Sequence, residues 1–240
     1  MKTIIKESYD DMSAEAARII AVQIIADPES VLGLPTGSTP IKTYKKLVEF
    51  YKRGLLDFSS VTTFNLDEYL KLPKHHEKSF HTYMEEKLFS KVNIKAANTH
   101  FPDGQADDPK TQCERYEKTI YKQGGIDLMV LGIGTNGHIG FNEPGTSWDS
   151  KTRRVKLTEE TRRSNFSNIE SAPEEAITIG TKTIMQAQKI LLLASGESKA
   201  KAIRKSLKGQ ITKEWPASIL QLHPKTIILL DSQAARKIIE

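Results

Sequence analysis

The feature of this sequence that most restricts its fold is an apolar run at 126–133 that leads straight into a glycine-rich loop. A run of this kind is typical of a buried parallel strand that helices cover on both faces. The loop at 132–145 reads Gly-Ile-Gly-Thr-Asn-Gly-His-Ile-Gly-Phe-Asn-Glu-Pro-Gly, and its glycines let the backbone approach a ligand closely. It carries one imidazole, His138, and one carboxylate, Glu143. A histidine can move protons near neutral pH and a nearby carboxylate can fix its tautomer, so the loop predicts a site at the end of a strand.

Similar apolar runs recur along the chain and alternate with helical patterns. The strand-like runs lie at 31–34, 61–66, 126–133, 189–194 and 225–230, and the helical patterns lie at 11–26, 39–53, 79–90, 107–122, 181–187 and 197–208. This alternation predicts an α/β fold, a Rossmann-like three-layer sandwich around a mostly parallel sheet. The sequence has no internal repeat, low-complexity tract or obvious linker, so we expect one domain that spans 1–240. Sites in such folds form beyond the carboxyl ends of the strands.

Composition restricts the class of protein without identifying its substrate. The 35 basic and 30 acidic residues give a formal net charge of +5, and these charges are spread along the chain rather than gathered in a basic tract. Charge alone permits nucleic-acid binding, but an anionic small substrate explains the excess as well, and we expect the small molecule. No apolar run is long enough to span a membrane, and the N-terminus has no signal-peptide core. With a single cysteine, Cys113, that fits a reducing compartment, we expect a cytoplasmic protein.

The sequence gives no reason to expect a bound metal. His75, His76 and His81 lie close together, but they lack the carboxylate–histidine spacing of a zinc site. Cys113 has no second thiolate to act with it.

Two further loops follow strand-like runs and suit an anion. The first, at 35–40, reads Pro-Thr-Gly-Ser-Thr-Pro and opens a helix, with Ser38 or Thr39 suited to the N-cap and Pro40 to the first helical position. Free N–H groups and hydroxyls at a helix start bind phosphate well, although a plain helix cap explains the same residues. The second loop follows 189–194 and places Lys199 in a first helical turn. A bound anion would compensate a lysine at that position, which the helix dipole disfavours.

The run at 61–66 ends in two adjacent carboxylates, Asp67 and Glu68. A carboxylate at the carboxyl end of a strand is a candidate general base, and a turn acid or a helix cap explains it equally well. All of these loops fall at the same edge of the predicted sheet, so we expect their side chains to form one site.

Four motifs carry a resemblance to a known family. The segments 34–40, 65–69, 134–144 and 220–224 resemble the glucosamine-6-phosphate deaminases, and the chain is most similar to their short bacterial form. The resemblance implies that glucosamine 6-phosphate and water are converted to fructose 6-phosphate and ammonia without a cofactor. It also implies a monomer or a small homo-oligomer.

The resemblance also implies roles for particular residues. His138 matches the ring-opening base, and Glu143 the group that orients it. Asp67 matches the residue that moves a proton from C2 to C1 of the open-chain sugar. The matching substrate-binding positions are Thr36, Gly37, Ser38, Thr39, Gly137 and Lys199.

Three positions depart from the family pattern. Asn136 stands where some members have an aspartate that completes a triad with the histidine, so Glu143 would orient His138 alone or with an amide hydrogen bond. Ser167 stands where an arginine often closes over the phosphate, and Arg162 or Arg163 could substitute for it.

The third departure concerns regulation. The long, regulated members have an extended C-terminal region and a basic pair, whereas this chain ends at Glu240, keeps Arg153 and has Val155 at the second position. We therefore expect hyperbolic kinetics without activation by N-acetylglucosamine 6-phosphate.

Two other functions compete with this interpretation. A hydrolase similar to the 6-phosphogluconolactonases would share the glycine–histidine loop, but that family typically lacks the continuation at 141–144 and would not need Asp67 as a carbon base. A non-catalytic sugar-phosphate sensor would need a partner in order to act, because no helix-turn-helix pattern precedes residue 30.

Overall fold

The computed structural model describes residues 1–166, 168–170 and 172–239, and this part of the chain contains ten strands, eight α-helices and four short 3-10 helices. The strands are β1 (Lys2–Lys6), β2 (Val31–Leu34), β3 (Thr62–Asn65), β4 (Asp67–Tyr69), β5 (Thr99–His100), β6 (Leu128–Leu131), β7 (Arg153–Lys156), β8 (Glu175–Thr178), β9 (Lys189–Ala194) and β10 (Thr226–Asp231). The helices are α1 (Tyr9–Ala26), α2 (Ile41–Lys52), α3 (Phe80–Lys87), α4 (Pro109–Lys122), α5 (Glu159–Asn165), α6 (Thr181–Met185), α7 (Ala200–Lys208) and α8 (Ser232–Ile239).

Seven of these strands form one parallel sheet, in the order β1-β10-β9-β6-β2-β3-β5. Its central strands are apolar on both faces: along β9, Leu191 and Leu193 pack with α1 and α2, while Ile190 and Leu192 pack with α4, α7 and α8. Burial on both faces is why these strands read as continuous apolar runs rather than as alternating patterns. The predicted three-layer α/β sandwich around a mostly parallel sheet is confirmed.

The strand order explains where the loops meet. From β2 the chain proceeds outward through β3 to β5, whereas from β6 it proceeds through β9 to β10 in the opposite direction. β2 and β6 are neighbours, so the loops that follow them diverge and leave a crevice at the carboxyl edge of the sheet. The loops at 35–40 and 132–145 therefore flank one crevice.

A second, antiparallel sheet of three strands, in the order β4-β8-β7, lies beside this crevice. The chain leaves the main sheet after β3 and passes directly into β4, where Asp67 pairs with Thr178. Leu66 forms the junction, because its N–H donates to Leu34 in the main sheet while its carbonyl accepts from Ile179 at 2.7 Å. The junction places Asp67 at the point where the two sheets meet.

Several elements differ from the sequence prediction. All five predicted strands are present, but β1, β4, β5, β7 and β8 and the short helices α5 and α8 were not predicted. β7 alternates partly buried residues with an exposed arginine and an exposed lysine, and β1 has a lysine at both ends and no fully buried residue, so these two strands lack the continuous apolar run of the central strands. The predicted hydroxyl cap of α2 is wrong: the helix begins at Ile41, and its N-cap is Pro40, which makes no side-chain capping bond. Ser38 and Thr39 lie outside the helix, in the loop before it.

No helix in the described part of the chain is both long enough and apolar enough to cross a membrane.

Asp231, the last residue of β10, holds the turn that precedes Lys199. Its buried carboxylate accepts a bond from the Ser195 hydroxyl at 2.5 Å and from the Gly196 N–H at 3.0 Å. It also accepts from the Ala234 N–H at 2.8 Å, in the first turn of α8. One carboxylate thus joins the turn after β9 to the first turn of α8 at the carboxyl edge of the sheet.

We expect Asp231→Ala to lower the free energy of unfolding by about 2–3 kcal/mol, because it removes a helix cap and leaves buried donors without their charged acceptor. Urea unfolding followed by circular dichroism measures the loss. The matched control is Asp108→Ala, which removes the exposed side-chain cap of α4 and should cost about 1 kcal/mol. Equal losses in the two variants would contradict the role assigned to Asp231.

Candidate active site

The crevice between the loops after β2 and β6 is a cavity of about 440 Å³. Three strand-end loops and α5 enclose it. The residues that line it are Pro35, Thr36, Gly37, Ser38, Thr39, Leu66, Asp67, Phe80, Gly132, Ile133, Gly134, Thr135, Asn136, His138, Gly140, Phe141, Thr158, Glu160, Thr161, Asn165 and Lys199.

The loop after β6 folds back on itself and presents His138 to the cavity. The N–H of Gly134 donates to the carbonyl of His138 at 2.9 Å, so the imidazole lies against the backbone of Gly134. A Cβ at position 134 would come within 2.5 Å of three ring atoms of His138. Only glycine permits this placement.

A small network behind His138 fixes Glu143. The Asn136 amide donates to Oε2 of Glu143 at 2.7 Å, and the Asn136 carbonyl oxygen accepts from the His138 N–H at 3.2 Å. Nδ1 of His138 lies 3.3 Å from Oε1 of Glu143, which is an ion-pair distance, although the angle is poor for a hydrogen bond. The Thr161 hydroxyl donates to the same Oε1 at 3.4 Å. Asn136 thus supports Glu143 with an amide hydrogen bond.

These contacts keep Glu143 ionised. Burial acts to raise the pKa of Glu143, but His138, Asn136 and Thr161 together outweigh it, and the pKa lies below its usual value. A carboxylate beside Nδ1 favours the tautomer with its proton on that nitrogen, and this leaves Nε2 as the basic atom.

Asp67, the first residue of β4, is a buried carboxylate that also lines the cavity. It is 6% exposed, and no described residue donates a hydrogen bond to its oxygens. Burial and, to a smaller extent, the negative charge of Glu68 raise the pKa of Asp67 to about 8. A carboxyl group in this state can exchange a proton with a bound molecule near neutral pH.

The adjacent Glu68 has a different role. It accepts from the N–H groups of Tyr69, Phe80 and His81 at 2.9–3.1 Å, and so binds the start of α3. Burial raises the pKa of Glu68, and these three bonds partly oppose it. The sequence left open whether these acids serve as a general base or as a turn acid or helix cap. Glu68 binds the N-terminus of a helix, whereas Asp67 faces the cavity.

At the other end of the cavity, the loop after β2 offers backbone donors. Tyrosine hydroxyls hold its carbonyls: Tyr44 donates to Pro35, Tyr83 to Gly37, and Tyr9 to Ser38 and Thr39. Within the described part of the chain, no group accepts the N–H groups of residues 36–39. This loop has the properties of an anion-binding turn.

Lys199 completes that end of the cavity. It is partly buried, and no described carboxylate lies within 4 Å of its ammonium group. Burial lowers the pKa of Lys199, an effect that the charge of Glu160 partly opposes. A half-buried cation without a partner is electrostatically unfavourable until an anion binds beside it.

Helix α5, which the sequence pattern did not predict, covers one side of the cavity. Thr158 caps this helix, and Glu160, Thr161 and Asn165 line the cavity. The Asn165 amide donates to the Tyr69 hydroxyl at 3.0 Å. The hydroxyl residue at 158 with acids directly after it is a helix-start signal that the sequence does contain.

Some candidate residues do not reach the cavity. Gly137 is not among the residues that line it, because this glycine faces Trp215, whose ring a Cβ would approach to 2.8 Å. Arg162 donates to the carbonyls of Ile169 and Ala172, and Arg163 pairs with Glu159 on the surface. Neither arginine lines the cavity, and Ser167 itself lies outside the described residues.

The two positions connected with regulation have structural contacts. Arg153 donates to Asn142 at 2.8 Å and to Thr146 at 3.3 Å. Val155 packs in a cluster with Tyr69 and Phe141. Among the described residues, no group of three or more histidine, cysteine, aspartate or glutamate side chains could hold a metal ion.

The chain matches one protein family along most of its length. The family model for glucosamine-6-phosphate isomerases and 6-phosphogluconolactonase covers residues 5–228. Glucosamine-6-phosphate deaminase from Thermoanaerobacter pseudethanolicus is 52% identical, over 98% of this chain and 94% of that protein. The enzyme of the same name from Halothermothrix orenii is 50% identical, over 98% of this chain and 99% of that protein.

Solved structures agree with the sequence relatives. A monomeric glucosamine-6-phosphate deaminase superposes with a TM-score of 0.96 and 44% identity, over 99% of this chain and all of that one. The 6-phosphogluconolactonase from Trypanosoma cruzi superposes with a TM-score of 0.82 over 99% of this chain and 96% of that one. At 20% identity, the second likeness shows a shared fold alone.

The burial of Asp67 has a consequence for stability. The folded protein holds a proton on Asp67 up to about pH 8, whereas the unfolded chain releases it near the ordinary value of 3.8. The folded state therefore binds more protons between these pH values, and this residue makes the protein less stable as pH rises through that window.

We expect Asp67→Asn to have a higher free energy of unfolding than the wild type. The difference between the two should grow by roughly 1–3 kcal/mol from pH 5 to pH 8 and then stay constant. Urea unfolding at pH 5, 7 and 9 without substrate measures it. Asp57→Asn is the control. Because surface hydrogen bonds lower the pKa of Asp57, its replacement should not make the variant increasingly more stable than the wild type as pH rises. Parallel stability curves for Asp67→Asn and the wild type would disprove the assignment.

Proposed function

The chain belongs to the family of glucosamine-6-phosphate isomerases and 6-phosphogluconolactonases, and from this premise we propose that it converts glucosamine 6-phosphate and water to fructose 6-phosphate and ammonia. The observation that carries the proposal is that one cavity contains a buried carboxylate, an imidazole with a carboxylate beside it, and a lysine that no carboxylate of the described residues pairs with. The first two can move protons at carbon and at oxygen, and the lysine can hold the phosphate.

Phosphate binding comes first in the proposed sequence. Lys199 and the N–H groups and hydroxyls of Thr36, Gly37, Ser38 and Thr39 hold the phosphate at one end of the cavity. This contact anchors the six-carbon sugar so that its other end reaches His138 and Asp67.

His138 then opens the sugar ring. With Nδ1 facing Glu143, the free Nε2 takes the proton of the anomeric hydroxyl and returns it to the ring oxygen. The ring bond between C1 and its oxygen breaks and C1 becomes an aldehyde. Glu143 stabilises the imidazolium that forms in between.

Asp67 carries out the isomerisation. It takes the proton from C2 while O1 gains the proton that the C2 ammonium group releases, which gives an enolamine. It then returns a proton at C1, which leaves an imine at C2 and a hydroxyl at C1. Water adds to the imine, and ammonia leaves. Asp67 must start as the carboxylate, and the cationic amino group of the substrate at C2 favours this form by bringing a positive charge next to it.

Two alternatives account less well for Asp67. Hydrolysis of a lactone moves no proton from carbon, so a 6-phosphogluconolactonase-like enzyme would not need Asp67 as a carbon base. A sensor that only binds sugar phosphate would lose stability to this buried carboxyl without benefit.

We also propose that the protein acts as a monomer without a cofactor, since the well-matched structural neighbour is described as monomeric and the steps above use only water and protein side chains.

The test is release of ammonia, coupled to a dehydrogenase that consumes it. We expect the wild type to release ammonia from glucosamine 6-phosphate and not to hydrolyse 6-phosphogluconolactone. Asp67→Asn should lower kcat by at least about a hundredfold, because it removes the general base while keeping the shape of the side chain. Binding of glucosamine 6-phosphate, measured by calorimetry, should survive in this variant.

Exchange of the C2 hydrogen with deuterium from solvent isolates the step. The wild type should catalyse this exchange and Asp67→Asn should not. Exchange at the wild-type rate in Asp67→Asn would remove Asp67 from the mechanism, and lactone hydrolysis without ammonia release would replace the proposed function by its alternative.

Lys199→Ala tests phosphate recognition. Because a charge-assisted contact contributes about 1.5–3 kcal/mol, we expect KM for glucosamine 6-phosphate to rise roughly ten- to hundredfold, with a smaller change in kcat. Steady-state kinetics on glucosamine 6-phosphate and on unphosphorylated glucosamine provide the measurement, and glucosamine should be a very poor substrate of the wild type. Lys201→Ala is the matched control, because Lys201 is an exposed lysine on α7 that stacks over Trp215. The same rise in KM in both variants would attribute the effect to general surface charge.

A further inference from the structure

Thr161 joins α5 to the carboxylate behind His138. It is the third residue of the helix and is buried, at 7% exposure. The Thr158 hydroxyl donates to Thr161 Oγ1 at 2.9 Å, and the Thr161 hydroxyl in turn donates to Glu143 Oε1 at 3.4 Å. Hydrogen bonds between hydroxyl groups therefore connect the N-cap of α5 to Glu143 in the loop after β6.

This contact determines how firmly Glu143 is held. Asn136 fixes Oε2, and Oε1 has two neighbours, Nδ1 of His138 and the Thr161 hydroxyl. A carboxylate bound through only one oxygen can rotate about its terminal bond, whereas donors on both oxygens hold its plane. Both donors are uncharged, so they orient Glu143 without neutralising it.

Helix α5 also contacts both halves of the cavity. Glu160, the residue before Thr161, accepts from the Thr135 hydroxyl at 3.5 Å, on the loop that carries His138. At the other end of the helix, Asn165 donates to Tyr69, which follows Asp67 by two positions. The position of α5 is therefore fixed relative to the groups that we assign to the two proton transfers.

We propose that Thr161 is a positioning residue for the proton transfer at the sugar ring: its hydroxyl fixes Glu143 so that His138 keeps its proton on Nδ1 and presents Nε2 to the substrate. Thr161 acts through Glu143 and does not itself exchange a proton with the substrate. This inference rests on the proposed function for its kinetic consequence, but the tautomer of His138 is a property of the protein without substrate.

The alternative is that Thr161 only helps to cap α5. Its N–H donates to Thr158 Oγ1 at 3.2 Å, and this bond is independent of the Thr161 side chain. Helix α4 offers a matched case: Thr111 also occupies the third helical position, and its hydroxyl donates to the N-cap residue Asp108 on an exposed surface. A capping role predicts that valine has similar effects at both positions.

The test compares Thr161→Val, Thr161→Ser and Thr111→Val in the full chain. We expect Thr161→Val to lower kcat for glucosamine 6-phosphate by about five- to tenfold with KM within about twofold, because a hydrogen bond to a charged group is lost away from the phosphate. Thr161→Ser keeps the hydroxyl and should restore kcat. Thr111→Val should match the wild type.

Nitrogen-15 spectra of the histidine rings without substrate provide the second measurement, with the His138 signals identified by their absence in His138→Gln. In the wild type and Thr161→Ser they should report a proton on Nδ1, and in Thr161→Val they should move toward the average of the two tautomers. An unchanged ring spectrum and kcat in Thr161→Val, or a serine variant that restores neither, would overturn the proposal. If Thr161→Val does not fold, Thr161→Ala is compared with Thr161→Ser by the same two readouts.

The two proposals fail in different ways. A wild type that releases no ammonia would remove the proposed function, while the ring spectra would still decide whether Thr161 fixes the tautomer of His138. Ammonia release by the wild type with identical ring spectra in all variants would retain the function and reject the role of Thr161.

Discussion

The site depends on two ionisable groups that the fold buries without a counter-ion. Asp67 lies at the junction of two sheets with no described donor to its carboxylate, and Lys199 lies half-buried with no described carboxylate in ion-pair reach. Neither group stabilises the empty protein, and the apolar, doubly covered sheet supplies the stability that tolerates them. In the proposed mechanism, both become favourable when a molecule with an amino group at one end and a phosphate at the other enters the cavity. The selectivity that we propose for the site thus comes from charges that the substrate completes.

The supporting groups differ in kind from these two. Glu68 and Asp231 are also buried carboxylates, but each accepts three or more hydrogen bonds and joins loops or helix ends. Glu143 stands between the two types, because neutral donors and His138 hold it in an ionised state. The number of donors around each carboxylate therefore separates the groups that build the site from those that we assign to chemistry.

The sequence predicted the parts of the site that follow long apolar strands. Asp67, His138 and Lys199 each come shortly after such a run, and parallel strands bring their carboxyl ends to one edge, so their convergence followed from the pattern. Helix α5 was missed because none of its seven residues is apolar, so it shows no amphipathic period, and its position depends on contacts such as that of Thr161 with Glu143. Gly137 was assigned to the substrate by its place in a motif, but its missing side chain accommodates Trp215. Local sequence does not reveal which side of a loop a glycine serves.

Helix α3 connects the two ends of the cavity. Its first N–H groups bind Glu68, next to Asp67, and three residues into the helix Tyr83 holds the carbonyl of Gly37 in the phosphate loop. Asp67 and the loop after β2 are therefore connected through one turn of α3 and the side chains of Glu68 and Tyr83. This connection sets the distance that the substrate has to span: in the proposed mechanism, a sugar phosphate one carbon shorter or longer would place a different carbon beside Asp67. Chain length would then be discriminated by groups that do not themselves touch the sugar: one helical turn and the side chains of Glu68 and Tyr83 at its two ends.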